Sequence, residues 1–600
     1  MRKILMTLAL TGTLAAQTPL VYPQTRKDGT VDNYFGTKVA DPYRWLEDDN
    51  SAETKAWVEA QNKVSFGYLG QIPERKAILD RLTKLYDYEK FSTPVQHGGR
   101  YFFTYNTGLE PQAKLYWSEG LHGAPQVLLD PNTLSKDGTV AISEIGLTQD
   151  GTKVAYALAE AGSDWITWHV RDVASGKDLA DVIHWSKAGG ASWLKDGSGF
   201  YYSRFDAPKP GDTLKGINQN HQVFFHKLGT PQSEDRLIYK RPDHPDWYLG
   251  GDVTEDGRWL VISAGKGTDP KSSLFIQDLS KPGSEVKPLL DAMDASYRVI
   301  GNEGDTFFVL TDKDAPRYRL IAVRADAPAQ AHWKELIPEA PGRDVLEQVS
   351  LVGNRFVATW MHDAHTRVSF HGLDGKAAGD LGLPAIGTAS GFGGERKDME
   401  TFYAFTSFTY PTAIYRYDFK TGKNEVFKAP KVDFDPAAYE TKQVFYPSKD
   451  GTKIPMFLTY RKGLKLDGAN PTLLYGYGGF NIPLTPSFSA TRIAWLDMGG
   501  VFAVANLRGG GEYGMDWYNA GRLKNKQNVF DDFISAAEWL IKEKYTSTPK
   551  LAIQGGSNGG LLIGACETQR PDLFGACLPA VGVMDMLRFH LFTLGWGWKS

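Results

Sequence analysis

The stretch LAIQGGSNGGLLIGA, residues 551–565, joins a short apolar run to a glycine-rich turn and then to a second apolar run. The first run suits a strand buried on both faces, and the second opens a helix. Between them, Gly555-Gly556-Ser557-Asn558-Gly559 fits G-x-S-x-G, the pattern of a sharp strand-to-helix turn that presents a serine hydroxyl above a sheet edge. Glycines must flank such a serine because the backbones pass too closely for a Cβ. At the start of a helix, beside the N–H of Asn558, the hydroxyl can attack a carbonyl and leave the oxyanion facing donors. The same letters also occur in ordinary glycine-rich turns. Their place between a buried strand and a helix favours the catalytic reading.

Working outward, PTLLYGY (471–477) and GVFAVANL (500–507) are further short apolar runs suited to buried strands, and GACLPAVGV (575–583) reads as the strand after the serine helix. NVFDDFISAAEWLIKEKY (528–545) places Phe530, Phe533, Ile534, Ala537, Leu540 and Ile541 on one helical face. Strands alternating with helices imply a parallel α/β sheet, preceded by a hairpin-like pair, KQVFYPS and KIPMFLTYR. KVDFDPAAYE (431–440) reads as the crossing into this domain.

Upstream, from about Arg100 to Gly422, the chain consists of short aromatic and β-branched runs separated by turns such as QDGT, KDGS, EDGR and LDGK. The runs pair seven times, from RYFFTY with KLYW to TFYAFTS with AIYRYDF, at about 40 to 50 residues per unit. That period fits a seven-bladed propeller better than irregular β-sandwiches, although the tryptophan-aspartate and kelch signatures are absent. Before the repeats, Asn50 reads as an N-cap with Glu53 at the third helical position, and PERKAILDRLTKLYDYE continues a helical region that ends by about Lys90.

Charge and composition exclude more than they assign. A net charge of -3 without long runs of one sign leaves no footprint for nucleic acid or an anionic membrane. MRKILMTLALTGTLAAQ has a basic start, a short apolar run and small residues at Ala15 and Ala16, the layout of a secretory signal over residues 1–16. The expected location is therefore periplasmic or secreted. Two cysteines, Cys566 and Cys577, cannot form a disulfide scaffold and read as buried thiols, with a single disulfide as the lesser alternative.

LLYGYGGFN (473–481), ANLRGGGEYG (505–514), NKQNVFDDF (525–533), GGSNGGLL (555–562) and QRPDLFGA followed by VGVMDML closely resemble the prolyl oligopeptidase family, as does KVADPYRWLEDD (38–49) near the start. The resemblance runs from about Tyr22 onward. It implies an α/β-hydrolase peptidase domain plus a seven-bladed β-propeller. The expected layout is a signal at 1–16, an N-terminal helical part of the peptidase domain at 17–90, the propeller at 91–430 and the catalytic α/β-hydrolase domain at 431–600. It implies a serine endopeptidase that cleaves short peptides after proline and needs no cofactor or metal. Ser557 matches the nucleophile, and the N–H of Asn558 and the hydroxyl of Tyr477 match the oxyanion donors. Trp598 and Phe480 match walls of the proline pocket. A flat indole buries a pyrrolidine ring without demanding a hydrogen bond. The expected partners are short proline-containing peptides, with no nucleic acid, no membrane after signal removal, and a monomeric chain. Arg508-Gly509-Gly510-Gly511 lacks the Gly-Lys-Ser/Thr of a phosphate loop and reads as a tight loop near the cleft.

Acyl transfer also needs a base and a carboxylate that orients it, which in α/β-hydrolases follow the serine as acid, then histidine. Asp585 and His590 follow Ser557 in an order and motif that do not match, so neither is read as a triad member. The family places both partners past the position of Ser600, and residues 1–600 are expected to be a fragment short of them by about a hundred residues. Two alternatives stand beside the peptidase reading: a catalytically inactive peptide-binding propeller protein, and an oligopeptidase with basic-residue preference.

Overall fold

The computed structural model describes residues 20–600 except 210–212, 214, 215, 593, 594 and 600. The expected signal at 1–16 lies outside the described residues. Two compact units divide the chain, the first ending at Leu85 and the second running from Tyr86. The first holds a hairpin, Val31–Tyr34 with Thr37–Ala40, and helices α1 (Ala52–Gly70) and α2 (Arg75–Tyr86). The expected helical segment thus also contains a hairpin, ahead of its helices. The cap of α1 is Ser51 rather than Asn50. The Thr54 N–H donates to the Ser51 hydroxyl at 3.1 Å, while Glu53 turns away to pair with Arg26 at 2.7 Å.

The seven repeats fold into seven antiparallel blades, at 90–129, 140–186, 192–240, 247–295, 297–337, 345–381 and 388–428. Each pair of runs recognised in the sequence forms the two middle strands of a blade. The second and third blades share one ladder through a single pair, Ser186 opposite Arg204. First strands of the later blades carry Asp252, Arg298 and Ser350 on the wall of a cavity of about 1300 Å³. Among the described residues no strand pairs the first blade with the last. That join is made by side chains: Phe91 packs with Tyr101, Phe402 and Ile414, and the Tyr101 hydroxyl donates to Glu400 at 2.6 Å.

The C-terminal sheet contains β1 (Tyr439–Pro447), β2 (Lys453–Arg461), β3 (Thr472–Tyr475), β4 (Val501–Ala505), β5 (Leu551–Gly556) and β6 (Ala576–Ala580), in the spatial order β1-β2-β4-β3-β5-β6. β1 and β2 are antiparallel additions; β4, β3, β5 and β6 run parallel. Helices α3 (Ala490–Asp497), α4 (Gln527–Lys542) and α5 (Asn558–Gln569) make the crossovers. The core joins Leu474, Ala503 and Ile553 of the sheet to Phe533 and Leu540 of α4 and Leu562 and Ile563 of α5. The buried face of α4 is rotated from its apolar pattern: Val529, Asp532, Phe533, Ala536, Ala537 and Leu540 are buried, whereas Phe530, Ile534 and Ile541 are half-buried. Asp532 goes inward because Arg508 waits there, its Nη2 2.6 Å from Oδ1, and Ser448 donates to the same oxygen at 2.6 Å. Cys566 is buried, Cys577 is half-buried and both are free thiols. Among the described residues no helix is long and apolar enough to cross a membrane.

One buried ionic site in the propeller makes a pH-dependent contribution. His226 is fully enclosed, with Nδ1 2.6 Å from Asp235 and Nε2 3.0 Å from Asp181. Burial alone would lower its pKa, but the two carboxylates outweigh that and raise it above the ordinary value of 6.5. Two acceptors on the two ring nitrogens require both N–H groups, which only the imidazolium has. A raised folded-state pKa stabilises fully below about pH 6.5 and loses that contribution as pH rises through the raised value. His226→Gln is expected to cost about 3 to 5 kcal/mol at pH 6 and less at pH 9. Urea unfolding of both proteins across that range measures it, and an unvarying difference would refute the imidazolium.

Candidate active site

Leu474 lies opposite Ile553, and Tyr475 opposite Gln554, so the loops leaving the carboxyl ends of β3 and β5 emerge side by side. The chain passes from β3 to β4 on one flank and then crosses to β5 on the other. This reversal opens a crevice of the kind in which parallel sheets bind ligands.

Ser557 sits on the turn out of β5 at φ 56 and ψ -118, a conformation that a side-chain-bearing residue adopts only when its surroundings impose it. They do so here. The Ser557 N–H donates to the Ala580 carbonyl at 2.9 Å, tying the turn to the end of β6. A Cβ at Gly555 would stand 2.4 Å from the Gly559 carbonyl oxygen, and one at Gly559 2.8 Å from that of Gly476. The glycines are therefore required by the packing, and the exposed Ser557 hydroxyl is the outcome. α5 begins at Asn558 directly below it.

Tyr477 extends two residues past β3 and lines the same cleft as Ser557. Burial raises its phenol above the ordinary range, while interaction with the Ser557 hydroxyl pulls the other way. Asn558 is buried, and its side-chain amide donates to the Tyr477 carbonyl at 2.6 Å. Lys526, the residue before α4, donates to Asn558 Oδ1 at 2.9 Å and to the Gly478 carbonyl at 2.8 Å. Burial pushes this ammonium down to about 8.

The cleft encloses about 640 Å³ and brings Tyr477, Phe480, Ser557, Asn558 and Trp598 together. Trp598 stacks on Phe589 with ring centres 6.3 Å apart, and Phe480 is held at φ 55. Val583, Met586 and Phe589 add apolar wall, so the VGVMDMLRFH stretch shapes the site without supplying its chemistry. Thr268, from the fourth blade, closes the cleft from the propeller side. Its hydroxyl donates to the Gly597 carbonyl at 3.3 Å.

Among the described residues no histidine hydrogen-bonds Ser557. His590 packs edge-on against Phe589, and Asp585 accepts from the N–H groups of Leu587 and Arg588 at 3.2 and 3.1 Å. The loop 508–511 is near the cleft, but its arginine points away into the ion pair with Asp532. Next to it Glu512 is buried, its carboxyl pushed up to about 7 by desolvation against the bond from the Leu484 N–H at 2.9 Å. Lys526 and Thr268 line the cleft without a signal in the sequence. Lys526 lies within the quoted NKQNVFDDF motif, but an isolated lysine before a helix reads as a surface charge, and nothing local marks Thr268.

Residues 22–430 match the family model described as the N-terminal β-propeller domain of prolyl oligopeptidase, and residues 486–600 match the prolyl oligopeptidase family model. A prolyl endopeptidase of Elizabethkingia meningoseptica is 45% identical over 579 residues, spanning 96% of this chain and 81% of the relative. A solved structure from a study of two prolyl endopeptidases superposes with a TM-score of 0.92 at 42% identity, covering 96% of this chain and 85% of that one. Prolyl oligopeptidase B of Galerina marginata, bound to a 25mer macrocyclization substrate, superposes with a TM-score of 0.92 at 34% identity, covering 97% of this chain and 85% of that one.

Tyr477→Phe removes one of the two candidate oxyanion donors and leaves the ring in the cleft. It is expected to cost about 3 to 4 kcal/mol of transition-state stabilisation, seen as a fall of about 10²- to 10³-fold in kcat with little change in KM. Steady-state kinetics on a chromogenic peptide amide measure it. A fall confined to KM would mean that the phenol only binds substrate.

Proposed function

Since this chain belongs to the prolyl oligopeptidase family, we propose that it is a serine endopeptidase that cleaves short peptides on the carboxyl side of proline through an acyl-enzyme at Ser557. The observation that carries this reading is the gathering of the strained Ser557, Tyr477, Asn558 and the aromatic rings of Phe480 and Trp598 in one cleft. Ser557 Oγ attacks the prolyl carbonyl carbon. The oxygen becomes an oxyanion between the Asn558 N–H and the Tyr477 hydroxyl. Collapse breaks the C–N bond, releases the amine and leaves a prolyl ester on Ser557, which water then hydrolyses. The serine proton must pass to an imidazole held by a carboxylate and on to the leaving amine, a role that neither His590 nor Asp585 occupies among the described residues.

Preference for proline has a physical basis in the cleft. Within a peptide, proline brings no N–H that burial would leave unpaired, and its ring presents a flat apolar face to Trp598. A cationic side chain would meet Arg522 and Lys526, and no acidic residue lines the cleft among the described residues. That disfavours the basic-residue alternative. Restriction to short peptides is supported by the propeller's own contribution to the cleft wall, through Thr268.

Ser557→Ala, in the enzyme expressed from its whole reading frame, is expected to abolish turnover of a proline-amide reporter, while a proline-containing peptide still binds by calorimetry. Retained turnover would overturn the assignment of the nucleophile. Export to the periplasm or medium is proposed on the strength of residues 1–16 alone. N-terminal sequencing of the mature protein is expected to begin at Gln17, and a chain starting at Met1 would contradict it.

A further inference from the structure

We propose that Lys526 is a positioning residue for acyl transfer at Ser557, holding the two oxyanion donors in register with each other through Gly478 and Asn558. The inference rests on Ser557 being the nucleophile. It adds a residue to which neither the sequence reading nor the reaction as described above gives a task.

The lysine ammonium closes a chain of bonds between two separate loops. Its Nζ donates to the Gly478 carbonyl at 2.8 Å and to Asn558 Oδ1 at 2.9 Å. The Asn558 amide then donates back to the Tyr477 carbonyl at 2.6 Å. Tyr477 carries one donor on its ring, and Asn558 carries the other on its backbone. One cation thus ties together the segment after β3 and the first residue of α5. The fit has no slack, since a Cβ on Gly479 would lie 2.6 Å from the Asn558 amide nitrogen.

The placement is costly unless these bonds are the reason for it. Lys526 precedes the first residue of α4, at the positive end of a 16-residue helix, where a cation is disfavoured by about 0.3 to 1 kcal/mol. Lysines beside apolar surface normally send the ammonium outward to water. This one turns inward, onto two carbonyl-type oxygens at the wall of the cleft. Departures from local preference of this sort concentrate at functional sites. A positive charge held there also favours the negative charge that develops on the substrate oxygen.

The test uses the enzyme from its whole reading frame and compares two ligands. A peptidyl-prolinal aldehyde adds Ser557 Oγ to its carbonyl carbon and places the resulting oxygen between the donors. The matching peptidyl-pyrrolidine has no carbonyl on its ring to attack. Lys526→Met is expected to lower kcat about 100-fold with KM within about twofold, and to weaken the aldehyde by a similar factor while the pyrrolidine binds as before. Lys526→Arg, which keeps charge and donors, is expected to recover kcat to within about tenfold of native. The proposal is overturned if Lys526→Met keeps kcat within about threefold, if both ligands weaken equally, or if a folded Lys526→Arg is no better than the methionine variant. Should Lys526→Met fail to fold by circular dichroism, Lys526→Gln, a donor without charge, is read in its place by the same criteria. Ser557→Ala serves as the separate control: its loss of turnover and of the aldehyde's advantage establishes the nucleophile whatever the lysine variants do.

Discussion

The turn at Ser557 governs the catalytic half of the molecule, because its backbone is held where a side-chain-bearing residue does not rest unaided. Such a conformation costs of the order of 1 to 3 kcal/mol and persists only if the surroundings over-determine it. The surroundings here are specific. The Ala580 carbonyl takes the serine N–H, and the carbonyls of Gly476 and Gly559 press close enough to forbid any Cβ at Gly559 and Gly555. The Gly559 contact is local to the turn, but those with Gly476 and Ala580 require β5 to lie between β3 and β6, which is the strand order observed. The sheet topology is thus the means by which one strained residue is kept strained.

The same strand order gathers the polar groups. β3 and β5 deliver Tyr477 and Ser557 to one crevice, while the exit of β4 delivers Arg508 to Asp532 on α4. That ion pair is buried, with the Arg508 backbone N–H also donating to Asp532 at 3.1 Å. Breaking such a pair strands an uncompensated charge, so it fixes where the N-terminal half of α4 lies. Lys526 stands just ahead of that half. From there it reaches Gly478 and Asn558, which sets the interior salt bridge and the candidate oxyanion donors on the same helix end.

The propeller contributes both a wall and a scaffold. Its first and last blades meet through side chains rather than a shared ladder, with Tyr101, Glu400 and an aromatic cluster at the seam. Contacts to the catalytic sheet are likewise side-chain and loop contacts. The Tyr513 hydroxyl donates to Asp363 at 2.6 Å, and Thr268 reaches the turn that carries Trp598. The pocket is therefore complete only with the two domains in contact.

The family, the seven blades and the candidate nucleophile were legible in the sequence because each is a local pattern. Glycines flanking a serine, a buried run before it and alternating aromatics at a regular interval are signals within a few neighbouring residues. The middle strands of each blade were readable for that reason, and the first strands were not: Gly250, Gly251 and Asp252 line or adjoin the central cavity and lack the apolar alternation of a packed strand. What only the tertiary structure decided is everything that depends on a distant partner. Asp532 turns inward for Arg508, 24 residues away. Ser51 caps α1 while Glu53, whose spacing had suggested Asn50, pairs instead with Arg26. Lys526 faces two oxygens that no spacing could assign to it. A sequence records which side chains are present near one another along the chain, whereas hydrogen bonds and ion pairs are made to whatever the fold brings within about 3 Å.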